Sequence, residues 1–130
     1  MTPERSADAF VAQGRLAKAE EFEAAAELFF EGDGAGDHRD AYVTLAVHAG
    51  IAAADVICIR RLARYSPTGT HAETVALLEK AQSGAGRHLE RLLALKSKAG
   101  YAHRPVSASD VLVARRCSAA LVEIARTMRG

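Results

Sequence analysis

The stretch Lys96-Ser97-Lys98-Ala99-Gly100-Tyr101-Ala102-His103-Arg104-Pro105 brings two ammonium groups, a phenol, an imidazole and a guanidinium together. An imidazole titrates near neutrality and can move a proton. A cation beside it can stabilise the charge that develops on phosphoryl oxygens. With a carboxylate to orient them, such parts suit RNA cleavage, in which a 2′-hydroxyl attacks the adjacent phosphate. The carboxylate on offer is Asp55, isolated in an apolar run between Ala54 and Val56. His103, Lys98 and Asp55 are therefore the candidate catalytic residues. Lys96, Tyr101 and Arg104 are the candidate RNA contacts, with Tyr101 available to stack on a base.

Each of these residues also has a structural reading. An unpaired carboxylate in an apolar helix is costly, so Asp55 is expected to have a partner. That partner is Lys98 or His103 at a site, or a hydrogen bond or ion pair that holds the bundle or a dimer in register. His48 precedes Asp55 by seven positions, about two turns on nearly the same helix face. Tyr101 could anchor its loop to the bundle. Arg60, Arg61 and Arg64 complement the dipole at the end of a helix. His71 falls in a helix cap, and His38 and His88 have no helpful context. Neither Cys-x-x-Cys nor His-Glu-x-x-His occurs, so no metal or cofactor is expected. Cys58 and Cys117 lie in apolar helical patterns and are expected as buried thiols.

The elements that must position these residues read as five helices. Thr2 is placed as an N-cap with Pro3 at the first helical position, and helix one runs to about Glu31. Phe22, Ala25, Ala26 and Phe29 share one face of it. Gly32 to Asp37 break the chain. Helix two runs from about Arg39 to Tyr65 and is apolar nearly all round from Ala41 to Ile59, as a central helix is. Ala49, Gly50, Ala52, Ala53 and Ala54 form a small-residue waist for close helix approach. Thr70-His71-Ala72-Glu73 is a capping box that opens helix three. Helix four covers roughly Arg87 to Lys98, and Gly100 and Pro105 bracket the break after it. Ser107-Ala108-Ser109-Asp110 caps helix five, with a stripe from Val111 through Ala114, Ser118, Leu121, Val122 and Ala125 to Met128. No strand pattern competes. The expected fold is an all-α, up-and-down helical bundle of about five helices, one domain over residues 1–130.

Composition agrees with that fold. Hydrophobic residues make up 49% and charged residues 25%, which supports a core and argues against a disordered chain. The start of the chain lacks a secretory pattern. The most apolar stretch, Tyr42 to Ile59, carries His48 and Asp55, which argues against a membrane span. A cytoplasmic protein is expected. Charge is uneven: residues 1–85 hold 8 Lys/Arg against 13 Asp/Glu, and residues 86–130 hold 9 against 3. The basic part could face phosphates, or acidic and basic helices could pair within a protomer or across a dimer. A helix-turn-helix opening at Val106 to Val111 is disfavoured, because the last helix is too apolar to leave base-reading positions.

Leu45-Ala46-Val47-His48-Ala49-Gly50-Ile51-Ala52-Ala53-Ala54-Asp55 resembles the second helix of bacterial HEPN proteins. Gly69 to Glu73 with Val75, Leu77 and Leu78 resembles their third-helix opening, and Leu92 to Lys96 through Tyr101, then Val106-Ser107 and an Ala-rich last helix, matches the rest. The resemblance covers roughly residues 15–128. It implies a HEPN-like bundle, a homodimer, and either of two activities. Many members are metal-independent RNases with an Arg, four to six residues, then a His. Here His103 matches, but the positions before it offer Lys98 and Lys96 rather than Arg, and an ammonium does not replace a bidentate guanidinium. Other members are non-catalytic modules that bind a protein or RNA. The first expectation is such a module, possible partners including a nucleotidyltransferase-like antitoxin of a toxin–antitoxin or defence system. The alternative is a ribonuclease with a degenerate Lys-x4-His motif.

Overall fold

The structure, a computed structural model, describes residues 5–6, 8–32 and 34–128. Its centre is the longest helix, which is buried on almost every side. We number the helices α1 (Ala9–Glu27), α2 (Arg39–Leu62), α3 (His71–Ala81), α4 (Gly86–Tyr101) and α5 (Ala108–Thr127). All four other helices pack on α2; α4 also touches α3 and α5, and α5 touches α1. The fold is an all-α helical bundle, as the periodicity predicts.

The waist of α2 shows why its small residues matter. A side chain at Gly50 would run into Leu92 of α4, and Leu121 of α5 lies beside it. Leu92 and Leu121 are fully buried. Burying each such side chain stabilises the fold by about 1.5–3 kcal/mol. On α1, Ala12, Ala19 and Ala26 are buried at a spacing of seven; Leu16 and Phe22 of α1 and Phe29 just beyond it pack beside the core. Cys58 and Cys117 are both buried.

Local signals set most of the ends. Thr70 and Ser107 form complete capping boxes with Glu73 and Asp110. Asp8 caps α1 by accepting from the backbone N–H groups of Phe10 and Val11. The expected cap at Thr2 and Pro3 lies outside the described residues. Helix α1 ends at Glu27, four residues before the expected Glu31. The Glu31–Gly34 bridge and the positive φ of Gly32 and Gly36 follow it.

Two other helix ends differ from the sequence reading, and a short strand pair is added. Helix α2 stops at Leu62 because Ala63 turns left-handed, with φ 57°. Arg64–Tyr65 then forms a two-residue strand, β2, antiparallel to β1 (Arg5–Ser6). Two residues are too few to show strand alternation. Helix α4 continues through Gly100 to Tyr101 before Ala102 becomes extended. Lys96, Lys98 and Tyr101 are thus helical residues, and the break is Ala102 to Val106, with Pro105 discouraging helical backbone at Arg104.

Part of the uneven charge is met inside one protomer. Arg115 of α5 meets Glu27 of α1 at 3.0 Å, and Arg126 meets Glu20 and Glu23 at 3.1 and 3.2 Å. These side chains are partly exposed, so each pair contributes about 0–1 kcal/mol. They lie where α5 meets α1. Helix α2 is long and apolar enough to cross a membrane, yet 72% of its most apolar window is buried in the bundle, as in a core helix.

Candidate functional site

Asp55 finds its partner on α1. Arg15 Nη2 lies 2.8 Å from Asp55 Oδ2, and Arg15 Nε donates to the same oxygen at 3.1 Å. The aspartate side chain is 16% exposed and the arginine 29%, so the pair sits at the edge of the core. Burial pushes the Asp55 carboxyl up from 3.8 to about 6, while the charge and hydrogen bond of Arg15 pull it back. Asp55 thus has the partner that an acid in an apolar helix is expected to need. Its partner is neither Lys98 nor His103. His48 is exposed, with its ring 5.4 Å from that of Phe22.

The pair lines a cleft of about 420 Å³ between α1, α2, α3 and α4. Ile51, Ala54, Leu77, Leu89 and Leu93 make its apolar wall. Its polar lining includes Arg15, Asp55, Tyr65, Ser66, His71, Thr74 and Lys96. Tyr65 and Ser66 arrive there because α2 ends at Leu62 and the chain turns at Ala63 into β2. The Ser66 hydroxyl is buried and has no hydrogen-bond partner among the described residues.

The other candidates stand apart from that cleft. Lys98 Nζ donates to Asp110 Oδ2 at 2.7 Å. Asp110 Oδ2 also accepts from the backbone N–H of Ser107, so Lys98 is drawn into the cap of α5. The hydrogen bond from Lys98 is the main reason the Asp110 carboxyl stays below its ordinary value. Tyr101 is 87% exposed, and His103 and Arg104 are exposed beside it at the α4–α5 corner. None of Lys98, Tyr101, His103 or Arg104 lines the cleft that Asp55 and Lys96 share. The six candidates therefore divide between a cleft and a corner. Arg60, Arg61 and Arg64 are elsewhere, with Arg61 donating to Gln82 at 3.2 Å.

The sequence reading missed Arg15 and Ser66. Arg15 had a signal: it falls among Ala12, Leu16 and Ala19, in the register of the buried face of α1. Ser66 had none beyond its place before Pro67. Among the described residues, no three His, Cys, Asp or Glu gather where they could hold a metal ion.

The chain matches no model of a known protein family and no curated protein sequence.

Proposed function

We infer that this chain is a HEPN-like helical module that acts as a homodimer and binds RNA or a protein partner, with little or no catalysis of its own. The observation that carries this reading is the 2.7 Å bond from Lys98 to Asp110. Cleavage at His103 would need a cation free to meet a phosphoryl oxygen. Lys98, the nearest match to the family's cation, is already engaged in a helix cap. Asp55, the candidate orienting acid, is engaged with Arg15. What is left at the corner suits recognition. Tyr101 offers an open ring for stacking, with His103 and Arg104 beside it.

The case for a dimer rests on α1 rather than α2. Helix α2 is already covered within one protomer, so its apolar character does not call for a second copy. Phe10 and Leu28, at the two ends of α1, are 82% and 81% exposed. Exposed Ala17 and Ala24 lie on the stripe between them, which two copies could share in antiparallel fashion.

The test uses purified protein and mixed single-stranded RNA with EDTA present. Binding without cleavage is expected, weakened about tenfold by Tyr101→Ala, in line with the ~1–3 kcal/mol of a base–aromatic stack. Cleavage lost in His103→Ala and retained in Lys98→Arg would instead establish the ribonuclease reading. Failure to bind RNA at low salt would leave the module with a protein partner, such as a nucleotidyltransferase-like antitoxin, to be tested by co-purification from co-expressed pairs.

A further inference from the structure

We propose that the cleft between α1, α2, α3 and α4 is a binding site for a small organic monoanion with an apolar body, such as a medium-chain carboxylate. Four observations converge on it. Its volume of about 420 Å³ falls within the ~300–1,000 Å³ of small-molecule sites. Its wall of Ile51, Ala54, Leu77, Leu89 and Leu93 is a surface for an alkyl or aryl group. Within that lining, the Ser66 hydroxyl is buried without a partner among the described residues, an arrangement that a ligand oxygen would satisfy.

Charge selects the head group. The Asp55 carboxylate is offset by Arg15 at 2.8 Å, so together they add no net charge when both are ionised. Lys96 lines the same cleft and makes no ion pair among the described residues. The lining therefore carries one surplus positive charge beside an apolar wall. A carboxylate at Lys96 with its chain along Leu89 and Leu93 answers both features. A cationic or neutral amphiphile answers only the second. This site is separate from the α4–α5 corner, so its occupancy does not depend on whether that corner binds RNA.

The test is titration of the full chain with decanoate, followed by calorimetry and by NMR shifts of the Ile and Leu methyls. Saturable binding of one decanoate per chain is expected, with the largest shifts at Ile51, Leu89 and Leu93. Decyltrimethylammonium, of similar chain length and opposite charge, should bind at least tenfold more weakly. Lys96→Glu, an exposed substitution that leaves the core intact, should weaken decanoate at least tenfold. Lys80→Glu, the same charge change on an exposed residue outside the lining, should leave it unchanged. The proposal is overturned by an absence of saturable decanoate binding, by equal binding of the cation, by shifts centred away from the cleft, or by Lys80→Glu weakening binding as much as Lys96→Glu.

Discussion

Lys98 and Asp110 join α4 to α5: the lysine at the end of one helix donates at 2.7 Å to the aspartate that caps the other. Asp110 also completes the capping box with Ser107, so one carboxylate serves both a helix end and a helix–helix contact. Removing the Ser107 hydroxyl should cost about 1 kcal/mol, as loss of an N-cap does. Lys98→Ala should cost less, about 0.2–1 kcal/mol, because the lysine is half exposed. Urea melts of the two variants check this order. NMR titration of Lys98→Ala should show the Asp110 carboxyl rising toward its ordinary value, since Lys98 is the main cause of its depression.

Arg15 and Asp55 should give the bundle a pH-dependent stability of definite sign. Burial holds the native Asp55 carboxyl at about 6, against 3.8 ordinarily, so the native state keeps that proton more tightly than the unfolded chain. This group's contribution is fully present below the unfolded value and is lost as pH rises through about 6. A shift of that size corresponds to about 3 kcal/mol. Asp55→Asn should remove this fall, so its stability relative to wild type should improve between pH 4 and pH 7.5. Arg15→Ala should worsen it, costing about 1–3 kcal/mol at pH 7.5, because it strips a buried carboxylate of its partner. Urea melts across that range would refute the argument if the wild-type and Asp55→Asn profiles ran parallel.

Gly50 should not tolerate a branched side chain. A Cβ there would displace a terminal methyl of Leu92, which is fully buried. Gly50→Val should destabilise the fold by about 1–3 kcal/mol through overpacking, which outweighs the small gain in helix propensity of valine over glycine. Gly50→Ala should cost less, because the gain in helix propensity over glycine offsets part of the clash. Thermal melts of the pair give the comparison.

Light scattering at micromolar concentration should give the mass of a dimer. Phe10→Glu combined with Leu28→Glu should shift it to the monomer mass while circular dichroism stays unchanged, since both residues are more than four-fifths exposed in one protomer. A wild-type monomer mass would remove the dimer from the proposed function. A dimer that persists in the double variant would move the interface away from α1.

Much of the fold was legible because the signals that make it are local. Thr70 with Glu73 and Ser107 with Asp110 are recognised within four residues, and the two helices start where those boxes place them. The apolar character of α2 announced its central place, and its burial fits. Less legible were features decided by competition between weak local preferences. Gly100 suggested a break, but an exposed glycine with helical neighbours costs only about 1 kcal/mol in a helix, and α4 runs through it. The β1–β2 pairing carries too short a pattern to read.

The sequence alone determined that Asp55 needed a partner, because an isolated carboxylate in an apolar helix is costly wherever the chain folds. Tertiary structure decided which partner. Arg15 is forty positions away on another helix, and only the packing of α1 against α2 brings its guanidinium to 2.8 Å. The same holds for the division of the candidates. Lys96 and Lys98 are two apart in sequence, but two residues turn an α-helix by about 200°. One therefore lines the cleft with Asp55 while the other bonds to Asp110. Residue types and spacing could say that the pieces of a site were present. Which of them meet depends on helix rotation and packing, which reside in contacts between distant parts of the chain.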